Sequence, residues 1–239
     1  NGFITLESTD GSDVTVERGN TAATAPGDDS DLSDLGFNEV SRQTASDKYS
    51  ITGKSFNPVT AFAEGDLKIN GVDVYDAAFT TTNLGGKLEA INAKSSETGV
   101  IASAYYEQTF AAGTTTTASG DKYVINGITI TTSSTTLASL ASDINAKTSD
   151  HGLTAEASGQ NLILRGINVA TVAITASDGS NSNPTPAALK TVLEAASADN
   201  SRIRLDSVNN TPIKIELGEG SATSEHGFIE TNIGASDFD

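Results

Sequence analysis

The chain has 239 residues, which at roughly 150 residues per domain allows one large or two small domains, each able to bury a core. It carries 14 basic and 31 acidic residues for a net charge of −17, a sign that argues against nucleic acid and anionic membranes as partners, since both require a cationic footprint. Cys, Met and Trp are absent and His occurs twice, which removes disulfides, thiolate catalysis and zinc–thiolate sites and leaves little for histidine-based metal or acid–base chemistry.

In chain order, Ile4 and Leu6 face Val14 and Val16 if Thr9-Asp10-Gly11 forms a three-residue loop with Gly11 left-handed. Residues 19–30 read as a polar loop, and Leu32, Leu35 and Val40 suggest a short helix over 31–42, weakened by Gly36. Leu67-Lys68-Ile69-Asn70-Gly71-Val72-Asp73-Val74 is a pair of alternating runs split by Asn-Gly. That dipeptide suits a type I′ turn, whose central residues both need positive φ. A two-residue loop pairs Ile69 with Val72 and Leu67 with Val74 on one face, and Lys68 with Asp73 on the other.

A helical stripe of Leu84, Leu88 and Ile91 follows, ending Ile91-Asn92-Ala93-Lys94. The Lys suits the negative end of the helix dipole. Gly99-Val100 then opens another alternating run, and Tyr105, Tyr106 and Phe110 are available to cap a core. After a polar loop at 113–120, the same order returns. Tyr123-Val124-Ile125-Asn126-Gly127-Ile128-Thr129-Ile130 is a hairpin, Leu137, Leu140 and Ile144 form a stripe ending Ile144-Asn145-Ala146-Lys147, and Gly152-Leu153 opens a strand. Internal self-similarity of this kind outranks any single motif.

Leu162 and Leu164 can face Val172 and Ile174 as a tail hairpin, and residues 177–183 read as a polar loop. Thr185-Pro186 reads as N-cap and first turn of a helix carrying Leu189, Val192, Leu193 and Ala196. Ile203 and Leu205 face Ile213 and Ile215 across a loop near Asn209-Asn210. The last pair lacks a nearby Asn-Gly hairpin, while the hairpin at 67–74 lacks a tail. The simplest assignment joins them, so that residues 202–217 complete the first unit and about 109–199 form an insertion; in the rival arrangement the units simply follow one another and 202–217 packs on the helix at 186–196. The expected class is α+β: two small mixed domains of β-hairpins with short packing helices, built from repeated hairpin–helix–strand units. The expected division is 1–108 plus 200–239 as a discontinuous proximal domain and 109–199 as an inserted distal domain.

The Asn-Gly hairpin, the helix ending Ile-Asn-Ala-Lys and the following Gly-Val resemble the flagellin IN motif, over about 65–105 and 121–176. That motif recurs in the variable outer domains of bacterial flagellins and in some hook-associated and cap proteins. His226-Gly227-Phe228-Ile229-Glu230-Thr231-Asn232-Ile233-Gly234-Ala235 looks like the return towards a flagellin's inner helical domain. The polymerising terminal helices have no counterpart here and no initiator Met is present, so the expectation is a processed or excised piece, the surface-exposed middle of such a subunit.

The resemblance implies an extracellular, structural role at the filament surface, with antigenic variation, in a bacterial flagellum. It implies neighbouring flagellin subunits as partners through the absent terminal helices, and a fragment that is itself monomeric. A cap or hook-associated domain, or a glycan-binding adhesin module, is the alternative.

For chemistry, the acidic run Asp28-Asp29-Ser30-Asp31 with Asp34 and Glu39 invites a calcium reading. Counted from Asp29, however, the sixth and twelfth positions are Asp34 and Val40, where an EF-hand has Gly and Glu. A solvated acidic loop is the preferred reading. His151 and His226 have no His or Glu at helical i, i+4 spacing, Glu225-His226 is only an adjacent pair, and the His-Glu-x-x-His signature is absent. No Gly-x-Ser-x-Gly elbow or phosphate-cradling loop occurs, and Gly65, Gly71, Gly99, Gly127 and Gly152 are read as turn and strand-start residues.

Resemblance to glycosylated flagellins allows O-glycans on Thr114–Thr117 and Thr131–Thr136, although β-propensity and solubility account for these residues and are preferred. The expectation is therefore no enzyme, no catalytic, cofactor-binding or metal residues, no cofactor, and neither nucleic acid nor membrane as a partner. No apolar run approaches the ~20 residues of a membrane span.

Overall fold

The computed structural model describes residues 4, 6, 9, 14–16, 32, 34–41, 49–112, 117–177, 202–218, 221 and 223–231. Its elements in order are β1 (Glu39–Ser41), β2 (Ser50–Thr52), β3 (Leu67–Ile69), β4 (Val72–Asp73), α1 (Leu84–Ala93), α2 (Ser95–Thr98), β5 (Val100–Ala111), β6 (Lys122–Ile125) and β7 (Ile128–Thr131). They continue with α3 (Leu137–Asn145), α4 (Thr148–His151), β8 (Thr154–Ser158), β9 (Asn161–Ile167), β10 (Ile174–Ser177), β11 (Arg202–Ser207), β12 (Ile215–Leu217) and α5 (Thr223–His226).

The class expected from the sequence is corrected by these elements: the fold is β-rich, with strand well in excess of helix among the described residues, and not of the α+β class. Strand dominates, and among the described residues only α1 and α3 exceed a single turn or so. The physical reason is that alternation reports which face of a strand is buried, not which strand it pairs with. The tail pairs show this directly. β9 pairs antiparallel with β5 and β8, while β10 pairs with β6. β11 pairs with β2, while β12 pairs with β3. Each expected tail hairpin thus sends its two arms into different sheets, although both arms bury their apolar side chains in one core.

The chain divides into two compact units, one of Asn1–Gly19, Gly27–Ala104 and Ser201–Asp239, the other of Asn20–Pro26 and Tyr105–Asn200. The division falls within β5, between Ala104 and Tyr105, whereas the sequence placed it at 108/109. In the first unit the sheet order is β1-β2-β11 and the first half of β5, beside a second sheet β12-β3-β4. Ile51, Leu67, Ile69, Ile91, Val100, Ile203, Leu205, Ile213, Ile215 and Phe228 fill its core. In the second unit the second half of β5, β9 and β8 form one sheet and β10-β6-β7 the other. Tyr106, Phe110, Tyr123, Ile130, Leu140, Ile144, Leu153, Leu162 and Leu164 lie in its core.

The two Asn-Gly hairpins have the register that their alternation requires: Ile69 opposite Val72 and Lys68 opposite Asp73, then Ile125 opposite Ile128 and Tyr123 opposite Ile130. Asn70 and Asn126 have φ of 51° and 49°, each followed by a glycine at 82°. Asp73 is drawn to its own backbone, where its carboxylate accepts from the N–H groups of Gly65 at 2.7 Å and Tyr75 at 2.9 Å. Helix α1 is capped by Asn83 and α3 by Thr136, whose side chains accept from Gly86 and Ser139 respectively.

Two other expectations change. The helix proposed over 31–42 is replaced at its end by β1, with Val40 buried in the core. Gly36 at φ 83° ends a turn in which Phe37 N–H reaches the Leu32 carbonyl at 2.9 Å. Of the hairpin expected at 4–16, Val16 bridges Val40 while Ile4 and Leu6 are exposed, and most of the segment lies outside the described residues. The helix expected at 186–196 also lies outside them.

Candidate functional site

The most chemically loaded cluster lies in the first unit, around α1 and α5. Lys87 follows Leu84 by three positions and precedes Ile91 by four, so the helix turns it into the core with them. It is fully buried, its Nζ donates to the Thr60 carbonyl at 2.6 Å, and it sits 3.9 Å from the Phe62 ring centroid. Burial lowers its pKa to about 8, against the opposing pull of the Glu225 and Asp66 charges.

His226 closes α5, also fully buried, with its ring stacked on Phe228 at 6.0 Å between centroids. Burial and then the Lys87 charge lower its pKa to about 4. Nδ1 accepts the Phe228 N–H at 3.0 Å, which leaves the ring proton on Nε2, 3.1 Å from Ser221 Oγ. A neutral imidazole in this tautomer donates to the serine. It cannot take the hydroxyl proton, so the Ser221–His226 pair is not an activated nucleophile.

His151 repeats the arrangement in the second unit. Its Nδ1 accepts the Leu153 N–H at 3.1 Å, and its Nε2 donates to the Ile144 carbonyl at 3.1 Å. In both places a left-handed glycine follows, Gly152 at φ 82° and Gly227 at 83°, and the next residue, Leu153 or Phe228, is a fully buried core side chain. Thr98-Gly99-Val100 is a third instance, in which Thr98 Oγ1 accepts the Val100 N–H at 3.1 Å. The histidines are turn-forming acceptors. The words Thr-Gly-Val, His-Gly-Leu and His-Gly-Phe, each ending a short Ser/Thr-acidic stretch, were the sequence signal for this shared role.

The other sequence candidates separate. Asp28, Asp29 and Asp31 lie outside the described residues, Asp34 is exposed, and Glu39 lies on β1. Among the described residues no group of three His, Asp or Glu side chains could hold a metal ion. Of the threonines considered for glycans, Thr117 is buried and donates to the Ser134 carbonyl at 2.8 Å. Thr132 is buried and donates to the Ala118 carbonyl, and Thr136 caps α3. Thr131 and Thr135 are exposed, and Thr114–Thr116 lie outside the described residues. No helix among the described residues is long and apolar enough to cross a membrane.

A cleft in the first unit, lined by Asn38, Glu39, Lys54, Arg202, Gly227 and Ile229 among others, offers about 20 Å³. That is room for one water molecule and not for an organic substrate. Its wall is fixed by Asn38, whose side-chain amide donates to the Ile229 carbonyl at 2.6 Å and accepts its N–H at 2.8 Å.

On the second unit's sheet, Arg165 lies opposite Glu107 and bonds Glu107 at 2.7 Å and Glu156 at 2.6 Å. Burial works against its charge, but the hydrogen bond to Glu156 and the charge of Glu107 outweigh that and hold the guanidinium above its usual range. This pairing, which the sequence analysis did not single out, ties β8 to β5 across β9.

The recurring polar device is the asparagine staple. Asn92 makes both amide bonds to the backbone of Ala102, at 2.9 and 2.7 Å, and Asn145 does so to Ala155, at 2.8 and 2.7 Å. Asn70 bonds the Thr98 carbonyl and the Lys214 N–H, and Asn126 the His151 carbonyl and the Ala173 N–H. The second strand of each tail, β12 or β10, is therefore held at its start by the turn asparagine of its own unit. Neither protein-family models nor curated proteins yield a match to this chain.

Proposed function

We propose that this chain is the surface-exposed outer region of a bacterial flagellar filament subunit, extracellular and structural, with a surface free to vary antigenically. The observation that carries the reading is the double occurrence of the IN-like words, in which Asn70 and Asn126, and Asn92 and Asn145, make matching hydrogen bonds. The residues that carry the resemblance to flagellins are the ones the fold uses to lock its strands. The two buried histidines and the small cleft, by contrast, are accounted for by turns and packing.

On this reading assembly resides in helical segments outside these residues. The present chain, at −17, then repels its own copies and stays monomeric.

The test is immunogold labelling of intact cells of the source organism with antibody raised against this chain. Gold along the whole filament is expected. Gold confined to the filament tip or the hook junction replaces the reading with a cap or hook-associated protein, and gold on the cell body alone, with none on filaments, replaces it with an adhesin.

A further inference from the structure

Seven elements recur in the same order in the two units, and the match shows where the second enters the first. In the first unit β3, β4, α1, α2 and the first half of β5 precede β11 and β12; in the second β6, β7, α3, α4 and β8 precede β9 and β10. The staples confirm the alignment: Asn92 to Ala102 on β5 corresponds to Asn145 to Ala155 on β8. Lys214, just before β12, corresponds to Ala173, just before β10.

In the second unit, β8 and β9 are joined by the two-residue turn Gly159-Gln160, closed by the pair Ser158 and Asn161. In the first unit the same connection, from β5 to β11, is where residues 105–200 leave and return. Chain inserted at that hairpin turn leaves the first unit's core complete, as expected where chain ends lie close together.

We propose that the Gly159-Gln160 turn is a second acceptor position of the same kind, where this fold takes additional polypeptide without loss of either core. Both turn residues are exposed and Gly159 has φ 56°. The turn's backbone bond to a neighbouring strand, Ala112 N–H to the Gln160 carbonyl at 3.0 Å, survives if the new chain enters before Gln160. The Asn126-Gly127 turn is its opposite: it also joins two short strands, but Asn126 is committed through backbone and side chain to Ala173 and His151. The proposal does not depend on the filament reading.

The experiment places a flexible Gly/Ser segment of roughly 20 residues in the full chain, either between Gly159 and Gln160 or between Asn126 and Gly127. Amide hydrogen exchange then follows Leu140 and Leu164 in the second core and Leu205 in the first. Insertion at Gly159-Gln160 should leave all three protected to within about threefold of the parent, while insertion at Asn126-Gly127 should abolish protection of Leu140 and Leu164. Loss of protection at Leu140 and Leu164 from both insertions, or retention in both, overturns the proposal.

Discussion

Lys87 and His226 are ionisable groups carried into an apolar core, and their hydrogen bonds decide what form they take there. For His226 the folded pKa of about 4 lies below the ordinary 6.5. The folded state therefore disfavours the imidazolium. Its contribution to stability is full above about pH 6.5 and is lost as pH falls towards 4, to the extent of roughly 3 kcal/mol. Protonation would also set a ring N–H against the Phe228 N–H that Nδ1 now accepts. The first unit should accordingly lose stability across that window, and the His226 ring protons should titrate near pH 4 by NMR; an ordinary titration near 6.5 in the folded protein would contradict the buried geometry. Gly86 offers a test of the opposite kind. Gly to Ala within a helix ordinarily stabilises by about 1 kcal/mol. Here an added Cβ would lie 1.9 Å from the Thr80 carbonyl oxygen. Gly86→Ala should instead destabilise, by about 1–3 kcal/mol through overpacking, and denaturant unfolding gives the sign directly. Nothing in the sequence marks Lys87: its spacing to Leu84 and Ile91 puts it on the buried face of α1, where the Thr60 carbonyl and the Phe62 ring receive its ammonium.

At the scale of elements, local signals translated well and pairing did not. Asn-Gly between alternating runs specifies a turn because two consecutive positive φ values are expensive for other residues, and Asn70 and Asn126 adopt them. The stripes at 84–91 and 137–144 specify α1 and α3 because one helix face must be apolar. The tails misled because Leu162, Leu164, Val172 and Ile174 do share a core, yet β9 and β10 belong to different sheets and nothing in the alternation records that. The staples were also invisible: Asn92 and Asn145 read as helix-end residues, whereas each holds the strand that follows. Asn145→Asp isolates this role. The carboxylate keeps an acceptor for the Ala155 N–H but presents a second acceptor to the Ala155 carbonyl, 2.8 Å away, where the amide now donates. Loss of that bond beside a strand carbonyl should cost about 1–3 kcal/mol. Equilibrium unfolding of Asn145→Asp against the parent protein checks it, and equal stability of the two would show that the amide donor contributes nothing.

For the whole molecule, the missing tail had a physical meaning, because a buried face needs a cover: Leu67 and Ile69 share one core with Ile203, Leu205 and Ile213, while β12 extends their own sheet beside β3. The excess of strand among the described residues could not be inferred, since counting stripes gives no weight to strand length, and β5 alone runs from Val100 to Ala111. Two cores with separate membership make a claim about cooperativity. Ile91 belongs to the first core and Leu140 to the second, and both are almost wholly buried. Truncating either to Ala leaves a cavity and should cost about 2–5 kcal/mol. If each core is its own cooperative unit, Ile91→Ala lowers the exchange protection of Leu205 and leaves Leu164 unchanged, while Leu140→Ala does the reverse. β5 is the element through which that independence would fail, because its halves serve different cores: Val100, Ala102 and Ala104 the first, Tyr106 and Phe110 the second. Its inward residues of the first half are mostly small, and the large ones, Tyr106 and Phe110, are buried wholly within the second core. A cavity at Leu140 should therefore loosen β5 from Tyr106 onward and spare Val100 to Ala104. Residue-resolved exchange along the strand, slow before Ala104 and fast after Tyr106 in Leu140→Ala, is the expected pattern; uniform acceleration from Val100 to Ala111 would show a single cooperative unit instead.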